Sequence, residues 1–122
     1  RLVARVPVAC QSLDEGLGAA GLKKLELAKA LATGPKLLLA DESLGGLDEA
    51  EMDQAADMLR RIRDELGITV VMIEHEMRIV MDISDRIHVL NFGRKIAEGT
   101  PDEIVRPDVL RMIYGVEVGV IA

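Results

Sequence analysis

The stretch Leu-Leu-Leu-Ala-Asp-Glu at residues 37–42 decides how the rest of the chain is interpreted. Four apolar residues lead directly into two carboxylates, after Gly34 and Pro35 and before a loop with paired glycines. A short apolar run between such breakers predicts a strand buried on both faces of a parallel sheet. Because carboxylates are costly to bury unless they are paired or metal-bound, an acidic pair at the end of such a strand suggests chemistry. The alternative is an ordinary strand that runs into an acidic, solvated loop.

Composition limits the kinds of partner and compartment. The 122 residues are 49% hydrophobic, which favours one packed domain over a disordered chain. The net charge of -6 argues against nucleic acid as a partner, because phosphate binding needs a basic face. A single cysteine, Cys10, excludes an internal disulfide and fits a reducing compartment. No apolar run approaches the roughly 18 residues that a membrane-spanning helix needs.

Periodicity and turn residues predict helices on either side of the strand at residues 37–42. The first covers about residues 22–32. The second begins at Asp48, an N-cap whose capping box is closed by Glu51, and it ends at Gly67. A second apolar strand over residues 68–73 leads into the polar cluster Glu74-His75-Glu76. The right-handed crossover between two parallel strands places both of these polar strand ends on the same edge of the sheet.

The C-terminal third of the chain continues the alternation. A short helix at residues 77–83 and a strand at residues 86–90 come first. A hairpin turn at residues 91–94 and a returning strand at residues 95–98 follow. Thr100, Pro101 and Glu103 form a strong helix start. The whole order predicts an α/β fold, a parallel sheet with flanking helices.

Taken in order, these pieces resemble the C-terminal half of an ATP-binding cassette (ABC) subunit of a membrane transporter. The resemblance covers about residues 17–115 and implies a partial P-loop NTPase (RecA-like) sheet, the C-terminal half of an ABC nucleotide-binding domain. Residues 37–42 resemble the Walker B strand, which implies that Asp41 binds Mg²⁺ through water and that Glu42 activates the water that attacks ATP. His75 resembles the switch histidine that contacts the terminal phosphate.

Two further segments resemble the parts of a cassette that meet a second cassette. Residues 45–48 resemble the interface loop after Walker B, although Asp48 also suits a plain helix cap. Another segment stands where the family has its signature loop, usually Leu-Ser-Gly-Gly-Gln, which binds the ATP held by the opposite subunit. It departs from that pattern where glycines replace the serine and the glutamine, so backbone donors remain but the hydroxyl contact is lost. The segment consists of Leu17, Gly18, Ala19, Ala20 and Gly21.

The subfamily and the domain boundaries also follow from the resemblance. Residues 73–101 and the tail around residues 107–115 resemble importers of branched-chain amino acids, and cassettes for urea and lipopolysaccharide have similar tails. The implied regions are residues 1–21, a remnant of the helical subdomain with the variant signature loop, and residues 22–100, the C-terminal part of the ATPase core. Residues 101–122 would be the tail typical of branched-chain amino acid cassettes.

The implied function is coupling of Mg²⁺-dependent ATP hydrolysis to import across a membrane. The implied partners are a second ATP-binding cassette subunit (identical or different), transmembrane permease subunits and, indirectly, a periplasmic or extracellular solute-binding protein. The implied location is peripheral, on the cytoplasmic face of the plasma (inner) membrane. An unrelated magnesium-dependent phosphotransferase would explain the acidic pair but not the loop, the histidine and the tail in this order.

One part of a cassette is missing from the sequence. No Gly-x-x-x-x-Gly-Lys-Ser/Thr phosphate loop occurs in the 122 residues, and the first residue is Arg1. We therefore expect the chain to begin inside a longer protein and to be inactive alone. In the family, the strand that carries the phosphate loop lies between the strands that end here near residues 73 and 90, so both are expected to lack a neighbour. The alternative function is a non-catalytic truncated cassette that acts as an interaction module.

Overall fold

The computed structural model describes residues 18–115, which divide between His75 and Glu76 into two compact units. The first unit contains α1 (Ala19–Ala32), β1 (Leu37–Asp41), α2 (Glu49–Leu66) and β2 (Thr69–Ile73). The second contains α3 (Met77–Ile83), β3 (Ile87–Asn91), β4 (Arg94–Gly99), α4 (Pro101–Ile104) and α5 (Pro107–Tyr114). This order confirms the predicted α/β class. None of the described helices is long and apolar enough to cross a membrane.

The strands within residues 18–115 form two two-stranded sheets. β1 and β2 pair in parallel, with Leu37 opposite Thr69 and Asp41 opposite Ile73. This confirms that the two strand ends share one edge. β3 and β4 pair antiparallel, with Ile87 opposite Gly99. Among the described strands, β2 therefore has no hydrogen-bonded neighbour except β1.

The prediction that the strand at residues 37–42 is buried on both faces is wrong. Leu38 is 5% exposed, but Leu37 is 50% and Leu39 is 70% exposed. On β2, Val71 and Ile73 lie opposite Leu39 and Asp41 and are also about half exposed. Successive side chains point to opposite faces of a strand, and only the face that carries Leu38 is covered within residues 18–115.

Local sequence signals place the ends of α2 as predicted. The Glu51 N–H donates to Oδ1 of Asp48 at 2.8 Å, and the Asp48 N–H donates to Oε2 of Glu51 at 3.0 Å. This capping box satisfies backbone donors that a helix start leaves free. Gly67 ends the helix in the left-handed conformation, with φ of 63°. Between these caps, α2 carries three of the buried residues of the first unit, Ala56, Leu59 and Ile62.

The second unit begins with α3 and then folds around a hairpin. Phe92 and Gly93, the two central residues of the predicted turn, have φ of 46° and 74°. Two positive φ angles in succession match the type I′ turn, whose twist suits a two-residue hairpin. After β4, Thr100 and Glu103 form the second predicted capping box, with Pro101 in the first turn of α4. Ile104 of α4 is 1% exposed and anchors this part of the chain.

A charged cluster on the hairpin centres on Glu98 of β4. Its carboxylate accepts hydrogen bonds from Lys95 and from Nη2 of Arg86, the latter at 2.5 Å. The hydrogen bond from Lys95, followed by the one from Arg86, lowers the pKa of Glu98 from 4.5 to about 2. His88 adds a third basic group, with Nδ1 at 3.5 Å from the same carboxylate. The cluster therefore favours the ionised form of Glu98 in the folded state.

Replacing Glu98 with glutamine should lower the unfolding temperature near neutral pH, and the loss should fade in acid. Because folding depresses the pKa of Glu98, its contribution is present above pH of about 4.5 and is lost as the pH falls towards about 2. Circular dichroism melts of the chain and of Glu98→Gln over this pH range measure the difference. The control is Arg94→Gln, on the same strand. A difference between the chain and Glu98→Gln that stays constant with pH would contradict this prediction.

Candidate functional site

The candidate site lies where β1 and β2 end. Asp41 is the last residue of β1 and pairs in register with Ile73, the last residue of β2. Glu42 follows β1 directly, and His75 stands two residues beyond Ile73. All three predicted polar residues therefore occupy one edge of the parallel sheet. This is the edge at which α/β proteins bind ligands.

Glu42 has an unusual backbone conformation. Its φ is 47°, in the left-handed region that non-glycine residues rarely adopt. Its N–H donates to the carbonyl oxygen of Ile73 at 2.8 Å, so the ladder between the two strands continues one residue past β1. Such conformations persist where the surroundings hold them, and they cluster at active sites. The acidic pair is exposed rather than buried, so solvent and a ligand can reach both carboxylates.

The loop after Glu42 is tied to the segment after β2. Oε1 of Glu74 accepts a hydrogen bond from the Leu44 N–H at 3.0 Å and lies 3.4 Å from the Ser43 hydroxyl, which donates to it. The Leu44 side chain is 3% exposed and anchors the loop from its other side. The sequence marks Glu74 only as part of the polar cluster at residues 74–76 and predicts no role for it. Its one sequence signal was its place between Ile73 and His75.

The other predicted site residues that the structure describes occupy helix starts. Gly18 is the N-cap of α1 and has no side chain to cap with, and its carbonyl accepts from the Leu22 N–H at 3.1 Å. Ala19, Ala20 and Gly21 form the first turn of α1, so the helix starts three residues before the predicted residue 22. Leu17 lies outside the described residues. Asp48 closes the capping box of α2, which accounts for its side chain without any interface role.

The carboxylates suit a magnesium site in which waters and substrate phosphates supply most of the ligands. Within residues 18–115, no group of three or more histidine, cysteine, aspartate or glutamate side chains could hold a metal ion. Mg²⁺ usually keeps several waters and takes only one or two carboxylates together with substrate phosphates. Asp41, exposed at the strand end, can supply one such carboxylate.

Sequence comparison places the chain among transporter ATP-binding proteins. It is 40% identical over 94 residues to the high-affinity branched-chain amino acid transport ATP-binding protein BraF of Pseudomonas aeruginosa. It is 39% identical over 94 residues to LivG of Escherichia coli, a protein with the same description. MetN of Burkholderia thailandensis, a methionine import ATP-binding protein, is 42% identical over 96 residues. No protein-family model matches the chain.

Each of the three matches covers 76% of this chain. They are only 37% of BraF and of LivG and 28% of MetN. The chain therefore spans little more than a third of the length of the branched-chain amino acid relatives that it matches.

Solved structures of ABC ATPases share the fold. CbiO1 of Clostridium perfringens, part of the ABC transporter complex CbiONQ, matches 79% of this chain and 38% of its own, with a TM-score of 0.71 and 30% identity. A metal-chelate type ABC transporter in an inward-facing conformation matches 84% of this chain and 41% of its own, with a TM-score of 0.76 and 24% identity. The cassette MJ0796, solved as a dimer with ADP and Pi, matches 71% of this chain and 37% of its own, with a TM-score of 0.64 and 26% identity. The described residues therefore form part of a P-loop NTPase fold.

Proposed function

Because this chain belongs to the family of ABC transporter ATP-binding proteins, we propose that it forms the water-activating and phosphate-sensing part of an ATP-hydrolysing importer subunit. The observation that carries the proposal is the placement of Asp41, Glu42 and His75 at one edge of the β1–β2 sheet. A relative of the same fold was solved with ADP and Pi, the products of ATP hydrolysis. We call the full-length subunit that contains these residues, assembled with a second cassette, the complete ATPase.

Each of the three residues has a separate task in the proposed reaction. Mg²⁺, when bound, neutralises charge on the phosphates. Asp41, at the end of β1, would hold Mg²⁺ through water. Glu42 accepts a proton from the attacking water, and its exposed position leaves room for that water. His75, after β2, donates a hydrogen bond to an oxygen of the terminal phosphate.

The start of α1 and the start of α2 are the proposed contacts with a second cassette. The backbone N–H groups of Ala19, Ala20 and Gly21 lie in the first turn of α1, where a helix leaves its donors unpaired. We assign them, with Leu17 and Gly18, to the phosphate of ATP held by the opposite subunit. Asp48, at the start of α2, would face the same partner.

The transported solute and the setting are inferred from the relatives. BraF and LivG are named for branched-chain amino acid transport and MetN for methionine import. We propose branched-chain amino acids as the solutes, since the residues around His75 and the tail also resemble that subfamily. We also propose that the subunit assembles with permease subunits on the cytoplasmic face of the plasma membrane. A solute-binding protein would deliver the solute to these permease subunits.

The proposal predicts opposite results for the 122-residue chain and for the complete ATPase. The chain has no Gly-x-x-x-x-Gly-Lys-Ser/Thr loop, so it should show neither ATP binding nor turnover by itself. The complete ATPase should hydrolyse ATP only with Mg²⁺ present. Equilibrium binding of a fluorescent ATP analogue and release of phosphate measure both.

Two results would overturn the proposal. The first is a complete ATPase without Mg²⁺-dependent turnover, which would leave the interaction module as the better description. The second is turnover by the 122-residue chain alone, since a phosphate grip would then lie within these residues. In proteoliposomes that contain the permease, uptake of leucine rather than methionine would support the assigned solute class.

A further inference from the structure

Within residues 18–115, the side chain of Glu74 links the two polar strand ends. Oε1 accepts from the Leu44 N–H at 3.0 Å and from the Ser43 hydroxyl at 3.4 Å. These partners are 30 and 31 residues away along the chain. Glu74 itself lies between Ile73 and His75, so one carboxylate joins the loop after β1 to the segment that carries His75.

The two hydrogen bonds from residues 42 and 44 bracket the turn at Glu42. The Glu42 N–H is held by the carbonyl oxygen of Ile73, and the Leu44 N–H is held by the carboxylate of the next residue, Glu74. Between these bonds the backbone of Glu42 takes its left-handed conformation, with φ of 47°. A conformation of this kind needs such support because it is disfavoured for a residue with a side chain.

We propose that Glu74 is a positioning residue for the hydrolysis reaction: its carboxylate holds the loop at residues 43–47 so that Glu42 keeps its place beside β2. The inference rests on the proposed function, in which Glu42 is the general base. A carboxylate suits this task because one of its oxygens accepts from both the Leu44 N–H and the Ser43 hydroxyl. The Ser43 hydroxyl donates to the same oxygen of Glu74. The Leu44 side chain is buried, which also keeps the loop in place.

The first arm of the test measures the contact itself in the 122-residue chain. Hydrogen exchange followed by NMR reports the protection of the Leu44 amide. Glu74→Ala should lower this protection at least about tenfold, because the amide loses its acceptor and opens to water. Glu74→Gln, which keeps one acceptor oxygen, should lower it less. Glu76→Ala, in the same polar cluster, is the control and should leave Leu44 protected.

The second arm measures hydrolysis by the complete ATPase. Glu74→Ala should lower kcat by about 10- to 100-fold with little change in KM for ATP, because displacing a catalytic group by about 1 Å can cost that much. Glu74→Gln should recover part of kcat. The unfolding temperature of each variant is recorded as well, since a merely structural role would change it without this separation of kcat from KM.

Each combination of results decides the proposal. Loss of Leu44 protection with an unchanged kcat would overturn the positioning role, and unchanged protection in Glu74→Ala would overturn the contact. If the unsubstituted complete ATPase has no Mg²⁺-dependent turnover, the proposed function fails and the positioning role falls with it. The exchange arm separates that failure from a failure of the contact, because it requires no ATP. Parallel losses of protection and kcat with a retained KM would establish Glu74 as a positioning residue.

Discussion

Glu42→Gln should lower Mg²⁺-dependent ATP hydrolysis by the complete ATPase by a factor of about 10² to 10⁴, the usual contribution of a general base. Glutamine has the same shape but cannot take a proton from water at neutral pH. The side chain is exposed and follows β1 directly, so the change should disturb no packing. Residue 42 has φ of 47°, and glutamine meets the same steric restriction there as glutamate because the two side chains have the same shape near the backbone.

Binding and hydrolysis should respond differently to this substitution. The variant should still bind Mg²⁺ and ATP, because Asp41 and His75 remain. Phosphate release measures turnover, and a fluorescent ATP analogue measures binding. Glu49→Gln, a change of the same chemistry at the first residue of α2, is the matched control. Hydrolysis by Glu42→Gln within about threefold of the unsubstituted protein would remove Glu42 from the role of base.

Leu38→Ala and Leu39→Ala should differ strongly in their effect on the stability of the 122-residue chain. Leu38 is 5% exposed, so truncation should lower the free energy of unfolding by about 2–5 kcal/mol through lost burial and a new cavity. Leu39 is 70% exposed, so the same truncation should change it by less than about 0.5 kcal/mol. The two residues are neighbours on one strand, and each serves as the control for the other.

The exposed face also predicts self-association. Leu37, Leu39, Val71 and Ile73 present apolar side chains on one side of β1 and β2, each about half exposed or more. Leu39→Thr combined with Val71→Thr should therefore reduce association of the chain, as seen by light scattering, without lowering its unfolding midpoint in urea. Equal losses of stability in Leu38→Ala and Leu39→Ala would mean that both faces of the sheet are covered in solution.

The elements with local signals agree closely with the sequence prediction. The capping boxes at Asp48 and Thr100 and the left-handed cap at Gly67 all involve groups at most a few residues apart. The hairpin turn at Phe92 and Gly93 likewise depends on residues that are adjacent in the chain. These contacts form within one turn of chain, so a single sequence contains both partners and their spacing.

The start of α1 was predicted less well. The sequence predicts a loop at residues 18–21 because these residues stand where the family has its signature loop. Gly18 provides no capping side chain, so no residue signals where the helix begins. In the structure the alanines extend the helix to Ala19, in line with their high helix propensity.

By itself, the sequence determined the order of helices and strands, their caps and the shared edge of the two polar strand ends, because parallel strands joined by a right-handed crossover must end together. Only the tertiary structure decided which face of β1 is covered. An all-leucine run has no alternation, so Leu38 and Leu39 cannot be told apart by pattern. The tertiary structure also decided that Glu74 reaches Leu44, 30 residues away. A contact of that length leaves no period in the chain, since it depends on how β1 and β2 lie side by side.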